Sequence, residues 1–251
     1  LAGDPEGMFN LAVALHHGLG VEVDLREALR WYRRAGAQGL APARLMEAAI
    51  YRSGIPASPA AGAIPPDPER AQAVLEELVQ QGYPAALREL GVELMRQAGN
   101  PPDPEKSRKA FQYWHDAAAK GDVPSCRLAA NLLLRGVGVE KDEKQAAELL
   151  KTAAEAGDWE GAAQWAFCLE YGVGVDKDEK QALEWYRKAA EAGIPAAQLK
   201  MGELYLAGRW VAAMHVPRAL EYFRSAADSG LPAALFRLGV CYSEGTGVKK
   251  D

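Results

Sequence analysis

The sequence has few cysteines, histidines and phenylalanines, and it has no long apolar run. It holds three Cys, four His and five Phe among 251 residues. Cys126, Cys168 and Cys241 have no close-spaced partner, so we expect small buried thiols rather than a disulfide framework or a zinc site. The longest apolar stretches, such as 210–214, fall well short of the ~18 residues that a membrane span requires. No membrane span is therefore predicted.

An excess of basic residues is also lacking. The chain carries 29 Lys and Arg against 34 Asp and Glu, which gives a net charge of −5. Because nucleic-acid binding requires a strongly basic face, no nucleic-acid partner is predicted. The apolar fraction of 49% is supplied largely by Ala and Leu, a composition that favours closely packed helices.

The signatures of common active sites are missing too. The sequence has no H-E-x-x-H, no G-x-S-x-G and no phosphate-loop lysine motif. His16 and His17 are adjacent, so we expect them to point in different directions and to chelate poorly. His115 and His215 have no acid or nucleophile in register, although a Cys–His pair from distant parts of the chain stays open. No cofactor, metal or catalytic residue is predicted.

What the sequence does contain is a repeat of about 36 residues. Segments 122–157 and 158–193 are the clearest copies, and both contain a G-V-G-V loop, an acidic and lysine-rich stretch and a closing Ala-Gly. Helical hairpins of this length bury their apolar faces only by stacking on one another. The sequence therefore predicts one all-α solenoid domain, with units at 4–39, 40–82, 83–121, 122–157, 158–193 and 194–230 and a partial unit at 231–251.

Each unit shows two amphipathic helical patterns. Ala197, Met201 and Tyr205 share one face of a first helix, and Ala182 and Tyr186 share one face of a second helix. Aspartates at second-helix starts and glycines at helix ends supply caps. Helices are predicted over 5–17, 24–38, 41–53, 67–81, 84–97, 104–120, 123–135, 142–156, 159–171, 178–192, 195–207, 216–229 and 232–244.

These residues resemble the Sel-one-like repeat family, a relative of the tetratricopeptide repeats. The first half of the motif is matched by Ala234, Leu238, Gly239, Tyr242, Gly245, Gly247 and Val248. The second half is matched by Gly174, Val175, Asp178, Ala182, Leu183, Trp185, Tyr186, Ala189, Ala190 and Gly193. The resemblance implies a right-handed α/α superhelix. Some family members are rich in cysteine and are linked to β-lactam binding, but no unit here has two cysteines.

Several segments depart from the repeat pattern. Extra residues occupy 55–66, a different loop fills 97–102, and Trp210 stands where glycine is usual. Because insertions in solenoids map to loops that often bind partners, Ile55, Ile64 and Trp210 are predicted loop contacts; neutral drift is the alternative. The ends resemble parts of further units, so we expect the native N-terminus to be missing. The compartment is predicted only as soluble, in a bacterial cytoplasm or periplasm.

In related solenoids the first helix of each unit lines the concave face. By that resemblance, first-helix residues that the packing stripe does not use are predicted to contact a partner. They are Phe9, Val13, His16, His17, Arg52, Arg88, Val92, Met95, Arg127, Asn131, Leu134, Arg135, Phe167, Glu170, Tyr171, Lys200, Glu203, Phe236 and Val240.

The resemblance implies a non-enzymatic scaffold that binds another protein through this face and through its loops. An alternative is a bacterial immunity protein that inhibits a secreted toxin enzyme such as a lipase, with loop 55–66 or Trp210 plugging the enzyme's cleft. An enzyme of unknown class is the third reading.

Overall fold

The computed structural model describes residues 3–57, 62–211 and 214–247. Thirteen α-helices follow one another in these ranges, and each end lies within one residue of its predicted position. Residues 1–2, 58–61, 212–213 and 248–251 lie outside the described residues, and they include Val248 of the repeat motif and the middle of loop 55–66. The helices are α1 Pro5–His17, α2 Leu25–Ala37, α3 Ala41–Ser53, α4 Pro68–Gln80, α5 Pro84–Gln97, α6 Pro104–Ala119, α7 Val123–Arg135, α8 Glu143–Glu155, α9 Trp159–Tyr171, α10 Glu179–Glu191, α11 Pro195–Ala207, α12 Val216–Asp228 and α13 Pro232–Glu244.

The helices stack in chain order. Each helix packs on the next one along the chain, and the first helices α7 and α9 of adjacent units also touch. In the described residues the only extended pairing is an isolated antiparallel bridge between Ile55 and Ile64. The all-α helical-repeat fold predicted from the sequence is therefore confirmed.

The core repeats one contact between a large ring and a small residue. Trp114 of α6 is buried against Gly91 of α5, where an added Cβ would lie 2.8 Å from the ring's Cδ1. Phe223 of α12 packs in the same way against Gly202 of α11, with 2.6 Å from an added Cβ to Cδ1. These two rings therefore require a glycine on the first helix, and this requirement explains the Leu90-Gly91 and Met201-Gly202 pairs.

The aspartates predicted as caps stand at the helix starts. Asp103 accepts hydrogen bonds from the backbone amides of Glu105 and Lys106, at 2.9 Å each. Asp178 accepts from the amide of Gln181 at 2.9 Å, and this bond is the main cause that lowers the pKa of the Asp178 carboxyl. Caps of this kind satisfy amides that the helix itself leaves unpaired.

The second glycine of the G-V-G-V loop packs on the preceding unit. Gly174 has φ +68°, and a Cβ there would meet the backbone carbonyl of Glu143 and lie 2.8 Å from the amide nitrogen of Lys144. The start of α8 thus rests directly on this loop. The corresponding Gly20 has φ +74° but open space around it.

Candidate protein-interaction surface

A series of ion pairs joins the first helices of successive units. Each pair connects one unit with the next: Arg52–Glu89 (3.4 Å), Arg88–Asp122 (2.6 Å), Arg127–Asp158 (3.0 Å), Lys200–Glu170 (2.6 Å) and Arg237–Glu203 (2.5 Å). Asp122 and Asp158 are at the same time the N-caps of α7 and α9. The polar residues of this face therefore connect the units to one another.

These ion pairs give three of the predicted partner-binding arginines a structural role. Arg52, Arg88 and Arg127 were predicted to contact a partner, but each of their guanidinium groups bonds to a carboxylate of the neighbouring unit. Their side chains are 24–33% exposed. They therefore lie at the edge of the surface, but their charges are already paired within the fold. Arg135 is exposed at the end of α7.

Glu170 lies inside the fold rather than on the predicted face. It is 6% exposed, accepts a 3.0 Å hydrogen bond from the Tyr186 hydroxyl and pairs with the Lys200 ammonium. Burial, followed by the Glu170 carboxylate, raises the pKa of Tyr186 above its ordinary value. Because a buried charge is costly unless it is paired, Glu170 is best understood as the group that fixes Lys200 in place.

Two aromatic rings of α9 are exposed to solvent beside the Glu170–Lys200 pair. Phe167 and Tyr171 are 49% and 50% exposed, and their ring centroids are 4.6 Å apart. The Lys200 ammonium lies 5.6 Å from the centre of the Tyr171 ring. An open cavity of about 460 Å³ adjoins Phe167 and Lys200, and its other lining residues include Arg127, Gln164, Leu199 and Glu203. We call Phe167, Tyr171 and Lys200 the α9–α11 patch.

Of the four predicted residues of the first unit, His17 is exposed, whereas the other three pack towards the second helix. Phe9 and Val13 are half-buried, and the Phe9 ring lies 5.7 Å from Tyr32. His16 Nδ1 lies 3.4 Å from the Tyr32 hydroxyl. The rings of His16 and His17 stack 4.6 Å apart, so the expectation that they diverge is wrong.

The remaining predicted residues are spread along the face. Met95, Asn131, Leu134 and Val240 are half-buried. Val92 on α5 is partly exposed, whereas Phe236 on α13 is 69% exposed. α13, which carries Phe236, packs chiefly against α12.

The predicted loop contacts lie closer to the core than expected. Ile55 is buried in the cluster of α1, α2 and α3, and its backbone pairs with Ile64. The Arg26 guanidinium donates to the Gly62 carbonyl and draws the described end of the loop to the start of α2. Trp210 is half-buried against the central core and has φ +60°, the left-handed conformation of the glycine it replaces. Of these three residues, only Ile64 is exposed.

A second surface was not predicted from the sequence. A groove of about 1030 Å³ opens on the side formed by the second helices α2 and α4. Its lining includes Arg30, Arg33, Arg34, Arg44 and Arg70. The signal was present in α2, which holds four arginines against one glutamate.

The three cysteines are buried, as predicted, and free. Burial, followed by the Glu143 carboxylate, raises the pKa of Cys168 to about 11, and burial also raises the pKa of Cys126 and Cys241. We expect a thiol reagent at pH 8 to leave the folded chain unlabelled and to label all three cysteines in denaturant. At that pH a thiol of pKa about 11 is ionised in about one molecule in a thousand, against about a quarter for an ordinary thiol.

The same pKa shift sets the sign of an alkaline effect. Between the ordinary thiol pKa and the raised one, the folded chain keeps protons that the unfolded chain releases, so these groups make stability fall as pH rises through that window. Rapid labelling of one thiol in the folded chain would contradict their burial.

The described residues hold no group of three or more His, Cys, Asp or Glu placed to bind a metal ion. Within the same ranges, no helix combines the length and apolar character that crossing a bilayer requires.

Helical hairpins that stack on one another in chain order define the class of helical-repeat proteins. The chain belongs to the Sel1 repeat family, since the profile of this repeat matches residues 5–40, 84–122, 124–158, 159–194, 195–231 and 232–251. Residues 41–83, which include the irregular loop, fall outside the matched ranges.

Solved structures agree with this assignment. A Sel1 repeat protein from Oxalobacter formigenes is 30% identical, with a TM-score of 0.72 over 99% of this chain and 69% of that one. A protective antigen of uropathogenic Escherichia coli with an SLR fold is 24% identical, with a TM-score of 0.71 over 98% of this chain. This chain spans about half of the antigen, 51% of its length.

An immunity protein of Pseudomonas aeruginosa shares the fold. Its identity is 18% and its TM-score is 0.64, over 93% of this chain and 83% of that chain. Likeness at this identity extends to the fold alone. A comparison with curated proteins finds no match.

Proposed function

We propose that the chain is a non-enzymatic scaffold that holds a partner protein through the α9–α11 patch. The observation that carries this proposal is the exposed Phe167–Tyr171 pair beside a lysine that a buried carboxylate holds in place. Aromatic residues at the centre of an interface supply much of its binding energy. A repeat fold is consistent with protein–protein interaction because it presents a long, preformed surface.

The α9–α11 patch rests on a helix that is packed in the core. The opposite side of α9 buries Trp165, Ala166 and Leu169 in the central core, so the helix cannot turn its rings inward. The Lys200 ammonium nitrogen lies 2.6 Å from Oε1 of the buried Glu170, which holds it in place. Because α9 is packed in the core and Lys200 is already paired, docking on the patch costs less conformational entropy than docking on a flexible segment.

The test is a pair of alanine substitutions at the patch. We expect Phe167→Ala with Tyr171→Ala to reduce capture of the partner by about tenfold or more, since interface hot spots contribute about 2 kcal/mol or more each. Capture from a lysate of the source organism, quantified by mass spectrometry, measures the loss. Circular dichroism checks that the helices are intact.

The control removes an exposed aromatic ring elsewhere. Tyr83 precedes α5 and is exposed, so Tyr83→Ala deletes a ring outside the patch. If the double variant and Tyr83→Ala capture the same proteins in the same amounts, the patch is not the binding surface. Arginine reversals are poor probes here, because Arg88 and Arg127 also join the units.

The immunity function is the second candidate. Two Pseudomonas aeruginosa immunity proteins share the fold at 17% and 18% identity, and this is its support. The structure supports the immunity function less than the sequence does, because two of the predicted loop contacts are not exposed. Ile55 is buried and Trp210 is half-buried. Tight capture of a single enzyme, whose activity falls on binding, is the result that would favour this candidate over the general scaffold.

A further inference from the structure

We propose that the groove between α2 and α4 binds an acidic segment of a partner protein, at a site separate from the α9–α11 patch. We call it the arginine groove. Five arginines and three glutamates line it, so its formal charge is +2 in a chain whose net charge is −5. The arginines are Arg30, Arg33, Arg34, Arg44 and Arg70, and the glutamates are Glu27, Glu47 and Glu77.

A buried carboxylate organises the groove. Glu47 of α3 is 2% exposed and lies eight residues after the glycine that closes the preceding unit. The residues at the same place in the other units are all apolar: Leu11, Leu90, Ala129, Trp165, Met201 and Leu238. A buried carboxylate destabilises a fold unless cations pair with it, so this departure from the repeat pattern needs a reason.

The reason lies in the cations that Glu47 holds. Arg44 Nη1 lies 2.7 Å from Glu47 Oε2, and Arg33 Nε lies 3.6 Å from Glu47 Oε1. Arg44 also bonds to Glu77 on α4. Glu47 therefore fixes one guanidinium of α2 and one of α3 at the lining of the groove.

Gly36 makes room for this arrangement. A Cβ at position 36 would lie 2.6 Å from Arg44 Cδ, whereas Ala or Val occupies the equivalent place in the other complete units. Those residues are Val79, Ala118, Ala154, Ala190 and Ala227. Two independent departures from the repeat, Gly36 and Glu47, thus serve to position Arg44.

Two further guanidinium groups are held by rings. Arg34 lies 4.9 Å from the centre of the Trp31 ring, and Arg70 lies 4.5 Å from the centre of the Tyr51 ring. Stacking uses the flat face of a guanidinium and leaves its N–H edge free to bond a carboxylate through two parallel hydrogen bonds. Arg34 and Arg70 therefore present oriented donors to a ligand, whereas Arg30, Arg33 and Arg44 are paired with the glutamates of the groove.

The excess positive charge of the arginine groove indicates which kind of ligand would bind there. Two carboxylates on an extended peptide neutralise the excess of +2, and a groove of about 1030 Å³ has room for several residues of such a segment. A nucleic acid is disfavoured because the net negative charge of the chain repels a long polyanion. An acidic protein segment is thus the ligand that fits both the groove and its surroundings.

The experiment uses a fluorescein-labelled peptide of alternating Glu and Ser, with a Gln-for-Glu counterpart. Fluorescence anisotropy should show binding of the acidic peptide that weakens as salt is added, and little binding of the Gln peptide. Arg34→Gln with Arg70→Gln should weaken binding by about tenfold or more, because the variant removes both guanidinium groups that would donate charge-assisted hydrogen bonds to the peptide's carboxylates.

The repeat itself offers a matched control. Lys188 over Trp185 and Arg218 over Tyr205 stand at the places equivalent to Arg34 and Arg70, with distances of 4.5 and 5.1 Å to the ring centres. There, Gln198 and Met201 replace Arg44 and Glu47. Lys188→Gln with Arg218→Gln removes the same charge and should leave the affinity unchanged.

Three results would overturn the proposal. They are equal binding of the two peptides, equal losses in the two double variants, or an RNA oligonucleotide that binds more tightly and displaces the peptide. Phe167→Ala with Tyr171→Ala should not change the peptide affinity, so failure of the arginine groove and failure of the proposed scaffold function are distinguished.

Discussion

Gly174→Ala is expected to destabilise the chain by about 3 kcal/mol, through two additive causes. The left-handed conformation at φ +68° costs a residue with a Cβ about 1–2 kcal/mol. The new methyl group would also meet the backbone of Glu143, which moves only if the start of α8 moves, and such overpacking costs about 1–3 kcal/mol. Denaturant unfolding measures the loss.

Gly20→Ala is the matched control for this prediction. It has the same loop position and φ +74°, but nothing lies within 4 Å of the added Cβ. Only the conformational cost of about 1–2 kcal/mol applies. Because repeat arrays unfold in parts, hydrogen exchange at the amides of α8 should report the extra effect of Gly174→Ala locally. Equal losses for the two variants would show that the contact with Glu143 contributes nothing.

Trp114→Ala is expected to cost about 3–5 kcal/mol, the usual range for deleting a buried aromatic side chain. The ring fills the space that Gly91 leaves on α5, and its Nε1 donates a 3.1 Å hydrogen bond to the Arg88 carbonyl. The substitution removes the ring contact and the hydrogen bond together. Thermal and denaturant unfolding, followed by circular dichroism, measure the effect.

Two comparisons test this explanation of the Trp114 effect. Trp159 is 38% exposed, so Trp159→Ala should cost well under half as much. Gly91→Ala places a methyl group 2.8 Å from the ring's Cδ1 and should destabilise on its own. In the double variant this methyl enters space that the missing ring leaves, so the two losses should sum to more than the measured value. Strict additivity would mean that the two residues do not pack together.

Much of the fold could be predicted because the repeat states the same local signals many times. The aspartates at 103 and 178 mark helix starts by pairing with nearby amides, and both act within three residues. Alanines such as Ala182 and Ala219 mark the close helix contacts and are fully buried. Signals that act over one helical turn need no knowledge of tertiary structure.

The interaction surface was harder to predict because it depends on how adjacent units align. Arg88 reaches Asp122 across 34 residues, a distance in sequence that the pattern of one unit does not encode. Exposure of Phe167 and Tyr171 could be predicted from their place outside the packing stripe, whereas burial of Glu170 could not. That Phe167 and Tyr171 bind a partner remains a prediction.

The arginine groove was missed although the sequence holds its signal. Alignment of the units places Glu47 among apolar residues and Gly36 among alanines and a valine. The residues that the units share determine the fold. Residues at which one unit differs from all the others are the better indicator of function, because packing alone does not require them.

The ion pairs between first helices also determine how the solenoid resists bending. Each pair crosses a joint between units, from Arg52–Glu89 to Arg237–Glu203. Bending that opens the first-helix side stretches every bridge, whereas bending the other way leaves them in contact. We therefore expect the solenoid to resist bending more in the first direction than in the second, and we expect dissolved salt, which screens such charges, to reduce this difference.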